Sequence, residues 1–286
     1  MAPIHPIVDA IQVEIVANPR SSLSALALRL WYDQPCFQNH STFRPMPLLR
    51  DLSQRDRQPE LMDDPALAES EHRRALRGLE RINRISGIAS LLWRSIRPLC
   101  ESDRSRTIRV FDVGSGGGDI SIGVWRKAQS AGFNLTIGGC DISPKALRMS
   151  TERAQRAGAE AEYVPVDILN DPLPRGWDVM YCSLFLHHFD EQQGIRLLRN
   201  MAENSERLVL VNDLIRDQLG YLLCWWGVRL LTRSPIVHTD GPLSVRAGFQ
   251  PQEVLNMAAA AGMPDATITR HWPQRLLMTW HKDDSP

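Results

Sequence analysis

From residue 107 to residue 212 the chain alternates between two hydrophobic patterns. Short, nearly unbroken apolar runs at 107–112, 134–141, 162–167, 177–182 and 207–212 read as buried strands. Between them, 119–130, 144–157 and 191–202 carry apolar residues every three or four positions and read as helices. Alternation of this kind predicts an α/β fold, a doubly wound and mostly parallel sheet with right-handed crossovers. After an interruption at 214–246, a helical stretch at 251–261 precedes two more runs, 266–270 and 275–280. Little beyond Trp272, Pro273 and Gln274 joins those two runs, too short for a parallel crossover. A seven-stranded sheet with an antiparallel last strand follows.

Ahead of the sheet the pattern differs. Leu67, Leu76, Leu79, Ile82 and Ile85 recur at helical spacing within 65–99, and Gly87 breaks the run. A second helix is expected over 88–96, ending before Pro98. Residues 46–105 thus predict a helical cap. Residues 1–45 carry prolines at 3, 6, 19, 35 and 45, and only 23–31 could form a short helix. They are expected to be a disordered or loosely docked extension, with Met46 as a possible true start.

Composition narrows the function. The chain has 286 residues, 43% of them apolar, with 33 basic and 33 acidic side chains. A net charge of zero argues against a nucleic-acid partner. Cysteines at 36, 100, 140, 182 and 224 form no close pair, so neither a zinc ribbon nor a disulfide framework is expected, and no metal site. The longest apolar candidate, 219–231, contains Arg229 and is shorter than the roughly 18 residues of a membrane span. With no signal-peptide pattern either, the expected location is cytoplasmic.

The first strand runs into Asp112-Val113-Gly114-Ser115-Gly116-Gly117-Gly118-Asp119. Small residues let the backbone approach a ligand at a helix N-terminus. A dinucleotide fingerprint would need glycine where Asp119 stands, and that carboxylate repels a pyrophosphate; a phosphate loop would need a lysine. Acidic residues at three strand ends instead suit a cationic ligand that carries a ribose. Asp141 can accept from ribose hydroxyls, Asp167 and Ile168 stand where an adenine edge could be read, and Asp112 can orient the turn or meet an ammonium group.

These blocks, with Gly139-Cys140-Asp141-Ile142-Ser143, Val164-Pro165-Val166-Asp167 and Trp177 through Phe189, resemble class I S-adenosylmethionine-dependent methyltransferases. The last block is similar to the ubiquinone- and menaquinone-biosynthesis type and related small-molecule enzymes. The resemblance covers about 107–212. It implies S-adenosylmethionine as cofactor, with Gly114 and Gly116 at its methionine part, Asp141 at the ribose and Asp167 at the adenine; Asp112, Ser115, Ile142, Ile168 and Ser183 are further cofactor-binding candidates.

Methyl transfer needs an in-line acceptor and a dry site, and a base only when the nucleophile is neutral. His187 and His188, which follow the fourth strand, are candidate bases, as is His238 in the interruption. The interruption also holds Tyr221, Trp225 and Trp226, and suits a lid over a flat, hydroxylated aromatic acceptor beside His238 and Asp240. It could equally form a dimer-making or core helix, and Asp240-Gly241 a turn. Asn83, on the cap, is a further pocket candidate. The expected function is methylation of a small aromatic or polyketide-like acceptor, on oxygen first and on a quinone-type carbon second. A catalytically silent binding module and a nicotinamide-dependent reductase are the alternatives.

Overall fold

The computed structural model describes residues 51–64 and 66–282, all within the unit Leu48–Pro286. The extension expected at 1–45, with Cys36 and the helix at 23–31, lies outside the described residues. Seven strands, β1 (Ile108–Val113), β2 (Leu135–Asp141), β3 (Ala161–Pro165), β4 (Trp177–Ser183), β5 (Ser205–Leu214), β6 (Thr267–His271) and β7 (Arg275–His281), form one sheet in the order β3-β2-β1-β4-β5-β7-β6. The first five are parallel, and β7 runs antiparallel between β5 and β6. Helices α1 (Glu69–Ile85) and α2 (Ile88–Ser102) precede the sheet. Within it come α3 (Asp119–Ser130), α4 (Pro144–Ala157), α5 (Glu191–Asn204), α6 (Gln218–Leu231), α7 (Pro235–Ala247) and α8 (Pro251–Ala260).

The period-two geometry of the central strands sorts their side chains between two cores. Phe111, Val113, Met180, Cys182, Val209 and Val211 pack on one face with Leu197, Leu198 and Met257 of α5 and α8. Val110, Val179, Tyr181, Leu208 and Leu210 pack on the other with Leu92, Ile96, Ile122 and Val124 of α2 and α3. Both faces being covered, the strands read as continuous apolar runs, which is why the sequence exposes them so clearly. A smaller cluster joins Ala75 of α1 to Val228, Ile236 and Val237 of α6 and α7.

Four local expectations are corrected. The second cap helix does not stop before Pro98. It continues to Ser102, because Cys100, 2% exposed, extends its buried stripe while the proline faces solvent. Residues 51–60 are not part of a helical cap. They run as an irregular strap whose donors and acceptors are taken up elsewhere: Asp56 N–H donates to the Arg246 carbonyl (3.1 Å), and Arg216 Nε donates to the Leu52 carbonyl (3.1 Å). Asp240-Gly241 makes no turn but lies inside α7. A Cβ on Gly241 would stand 2.8 Å from Val228, so that glycine permits a close crossing of α6 and α7. The third strand ends at Pro165, two residues before Asp167.

The turn between β1 and α3 depends on a tighter approach. Gly118 has φ +69°, and a Cβ there would lie 2.7 Å from Ser150 Cβ of α4. Gly132 has φ +78° with open space around it. We expect Gly118→Ala to lower unfolding free energy by about 1–3 kcal/mol and Gly132→Ala by about 1 kcal/mol, the conformational term alone. Urea denaturation of both variants measures this; equal losses would mean that contact with Ser150 does not dictate the glycine.

Candidate active site

The C-terminal edge of the parallel strands is where the loops converge. There Gly114, Gly116 and Gly118 all take positive φ (73°, 51° and 69°), winding the chain tightly into the N-terminus of α3. The Cys140 carbonyl accepts from the Gly114 and Ser115 amides (3.0 and 2.8 Å). Asp141 accepts from the Gly116 amide through Oδ2 (2.9 Å) and from the Ser143 amide through Oδ1 (2.8 Å). Thus Asp141 aims the turn as well as ending its strand. A Cβ on Gly114 would sit 2.6 Å from the Phe185 ring, so the turn is roofed by that aromatic side chain.

Helices clamp the turn from outside. Asn83 Nδ2 of α1 donates to Asp119 Oδ2 (3.0 Å). Arg153 of α4 donates from Nε to the Gly117 carbonyl (2.8 Å) and pairs with both carboxylate oxygens of Glu80 (2.6 and 3.1 Å). Asn83 therefore belongs to the glycine turn. Arg153 and Glu80 carried no recognisable sequence signal, because their meeting depends on how α1 crosses α4.

Three carboxyls crowd this edge. Burial raises the pKa of Asp112 to about 8, with the neighbouring Tyr181 hydroxyl offsetting part of the effect and Asp119 and Asp141 adding to it. Burial likewise raises Asp119 and Asp141. Asp112 Oδ2, Ser115 Oγ and Asn83 Oδ1 are buried without hydrogen-bond partners. Unpaired acceptors beside carboxyls call for a cationic or donor-rich group, which fits an ammonium, a sulfonium and ribose hydroxyls and disfavours a pyrophosphate. Ile142, 48% exposed next to Asp141, offers an apolar face. Asp167 holds its own loop, accepting from the Leu169 amide and Asn170 Nδ2. Ile168 packs against the core, and Ser183 accepts from Asn212 Nδ2 (2.7 Å) inside the sheet.

A second cluster lies beyond Phe185. Leu184, φ +56°, turns the chain sharply after β4. His187, 2% exposed, has Nδ1 2.7 Å from Asp213 Oδ1, and its amide donates to Asp213 Oδ2. Its Nε2 has no hydrogen-bond partner and stands 3.5 Å from Glu60 Oε1. His188 Nδ1 lies 3.2 Å from Asp63 Oδ2, and its Nε2 3.9 Å from Glu60 Oε2. Burial opposes charge on each imidazole, but the surrounding carboxylates outweigh it and raise both pKa values. The strap delivers Glu60 and is tied down nearby: Asp240 accepts from the Leu61 and Met62 amides (2.9 and 3.0 Å), and Arg57 Nη1 donates to the His188 carbonyl (2.8 Å).

So His187 and His188 meet, whereas His238 is occupied by the Thr232 carbonyl (Nε2 at 2.9 Å). Trp225 packs on Trp226 and under Arg229. Asp240 serves the strap directly. Sequence reasoning missed Asp213 and Glu60. Asp213 sits at a strand end and could have been suspected; nothing in the pattern marks Glu60.

Residues 110–205 match a family model described as a methyltransferase domain. The ubiquinone biosynthesis O-methyltransferase of Thiobacillus denitrificans is 24% identical over 163 residues, 56% of this chain and 66% of that protein. The 3-hydroxy-5-methyl-1-naphthoate 3-O-methyltransferase of Streptomyces sahachiroi is 31% identical over 119 residues, 40% of this chain and 33% of that protein. The chain therefore spans just under two thirds of one curated relative's length and a third of the other's. An O-methyltransferase family 2 protein from Planctomyces limnophilus, solved in complex with apigenin, shares the fold with a TM-score of 0.53 at 18% identity. The match covers 77% of this chain and 63% of that one.

The buried acid at the end of β1 makes stability depend on pH. Asp112 keeps its proton in the fold up to about 8, whereas the unfolded chain releases it near 3.8. Its contribution therefore falls as pH climbs through that window. Asp112→Asn should flatten the decline and melt several degrees above the parent at pH 8. Melting curves from pH 5 to 8.5 decide it; parallel curves for the two proteins would mean that Asp112 is already ionised in the fold.

Proposed function

We propose that this chain, which carries a class I S-adenosylmethionine-dependent methyltransferase domain, O-methylates a hydroxyl on a small, flat aromatic or polyketide-like acceptor. The observation that carries it is the adjacency of two arrangements at one sheet edge: a glycine turn ringed by Asp112, Asp119 and Asp141, and His187 held by Asp213 just beyond Phe185. The named relatives support a hydroxyl acceptor, since both are O-methyltransferases and one acts on a hydroxynaphthoate.

When bound, S-adenosylmethionine supplies a methyl group on a positively charged sulfur, open to in-line displacement. The chain's own residues do the rest. The backbone of Gly114, Ser115 and Gly116 takes the methionine part, and Asp112, protonated in the fold, offers its unpaired Oδ2 as an acceptor there. Asp141 accepts from the ribose hydroxyls, Ile142 offers an apolar face, and Asp167 and Ile168 border the adenine. Phe185 shields the turn from water, which strengthens each electrostatic contact. Removal of the acceptor's hydroxyl proton we assign to the cluster centred on His187, where Asp213 fixes the ring's orientation and leaves Nε2 bare. Helices α6 and α7, with Trp225, are assigned to the acceptor's cover. Among the described residues no helix is long and apolar enough to cross a membrane.

Asp141→Ala removes hydrogen bonds to a charged group worth roughly 1.5–3 kcal/mol. Affinity for S-adenosylmethionine should fall by about one to two orders of magnitude. Calorimetry on the folded variant is the check, and unchanged affinity would mean that the ribose is held elsewhere.

Transfer of labelled methyl groups to a panel of phenols and hydroxyquinones tests the activity itself. Cofactor binding with no transfer to any of them would favour a silent binding module. On an accepted substrate, His187→Ala should lower turnover by about 10²–10⁴-fold with cofactor affinity kept. His238→Ala should leave turnover close to the parent's, because its ring is already used by Thr232. Full turnover in the His187 variant would remove the cluster from the chemistry.

A further inference from the structure

We propose that Glu60, His187 and His188 form a binding site for one first-row divalent cation of the zinc class. One donor atom from each lies within 4.8 Å of the other two, and the Nε2 nitrogens are those placed toward the Glu60 carboxylate. Two imidazoles and one carboxylate are a donor set that suits zinc and its neighbours and leaves a coordination position open.

Three further observations point to an ion. First, His187 Nε2 is buried and has no hydrogen-bond partner, yet it aims at Glu60. Second, the distances of 3.5 and 3.9 Å from Glu60 to the two Nε2 atoms are long for hydrogen bonds. Ligand atoms around a tetrahedral ion with 2.0–2.1 Å bonds stand roughly 3.3 Å apart. Small side-chain rotations would close the set. Third, each imidazole presents its other nitrogen to a carboxylate, His187 to Asp213 at 2.7 Å and His188 to Asp63 at 3.2 Å. Carboxylates behind ligating histidines fix the tautomer so that Nε2 carries the lone pair, and they raise its donor strength. Two such pairs converge on one acid, and three carboxylates balance a double positive charge.

The role of the ion, unlike its binding, rests on the function proposed above. The open position takes an oxygen donor. With an ion bound, His187 Nε2 is a ligand and no longer the proton acceptor; an acceptor hydroxyl at the open position ionises nearer neutral pH instead, its O–H bond breaking as the oxygen–metal bond forms and the proton leaving to solvent. The site lies beside the cofactor turn, since the Phe185 ring over Gly114 is 6.0 Å from the His188 ring.

The test is titration of the full chain, freed of metal by dialysis, with cobalt(II) followed by its visible absorption, and with zinc by calorimetry. The expected result is one equivalent per chain. Glu60→Gln and His188→Gln should each weaken binding by about 100-fold or more, and Asp213→Asn by roughly 10–100-fold. Unchanged S-adenosylmethionine affinity would certify that the variants are folded. No stoichiometric uptake by the parent, or equal uptake by all three variants, overturns the site. Metal uptake without methyl transfer to any acceptor leaves the site standing and removes the proposed function. Transfer without uptake does the opposite.

Discussion

The hydrogen bonds that Cys140 and Asp141 accept from the turn after β1 are the constraint on which the ligand edge depends. They fasten Gly114, Ser115 and Gly116 to the end of the neighbouring strand. Only residues free to take positive φ can satisfy them while Phe185 and Ser150 press from either side. The turn's shape is therefore set jointly by backbone freedom, strand pairing and side-chain contact. Loss of any one would let the amides drift from the positions a ligand needs.

Electrostatics follow from the same geometry. A chain with no net charge gathers Asp112, Asp119 and Asp141 at one sheet edge, and Glu60, Asp63 and Asp213 around the histidines close by. Burial makes ionisation costly for the first group. In the second, burial also opposes the charge on Asp213, but His187 overcomes it and holds that carboxyl below the usual range. One region thus awaits a cationic partner, and in the other each carboxylate faces an imidazole.

The strap over 51–60, which leads into a short 3-10 turn at Leu61–Asp63, explains why the second group was invisible in one dimension. Glu60 lies more than a hundred residues from His187, in a segment without periodicity. Ser244 Oγ donates to its Oε1 (2.5 Å), while Asp240, Arg216 and Arg246 hold the segment around it and Arg55 and Arg57 of the strap reach the His187 and His188 carbonyls. Arg216 and Arg246 look, in sequence, like ordinary polar residues of an apolar insertion; Asp240 stood out there, but as a pocket residue beside His238.

The sequence by itself determined the sheet, its antiparallel end and the glycine turn. These rest on local rules: strands buried on both faces read as apolar runs, a very short link can only make a hairpin, and positive φ selects glycine. Asp141 was legible for the same reason, being a strand end at a workable distance from the turn. Tertiary structure alone decided that α2 outlasts Pro98, that Asp240 anchors a strap inside a helix, and that Glu60 stands between two histidines. Those outcomes are settled by burial and by long-range hydrogen bonds between segments whose separation along the chain carries no pattern, so only the packed fold could bring them together.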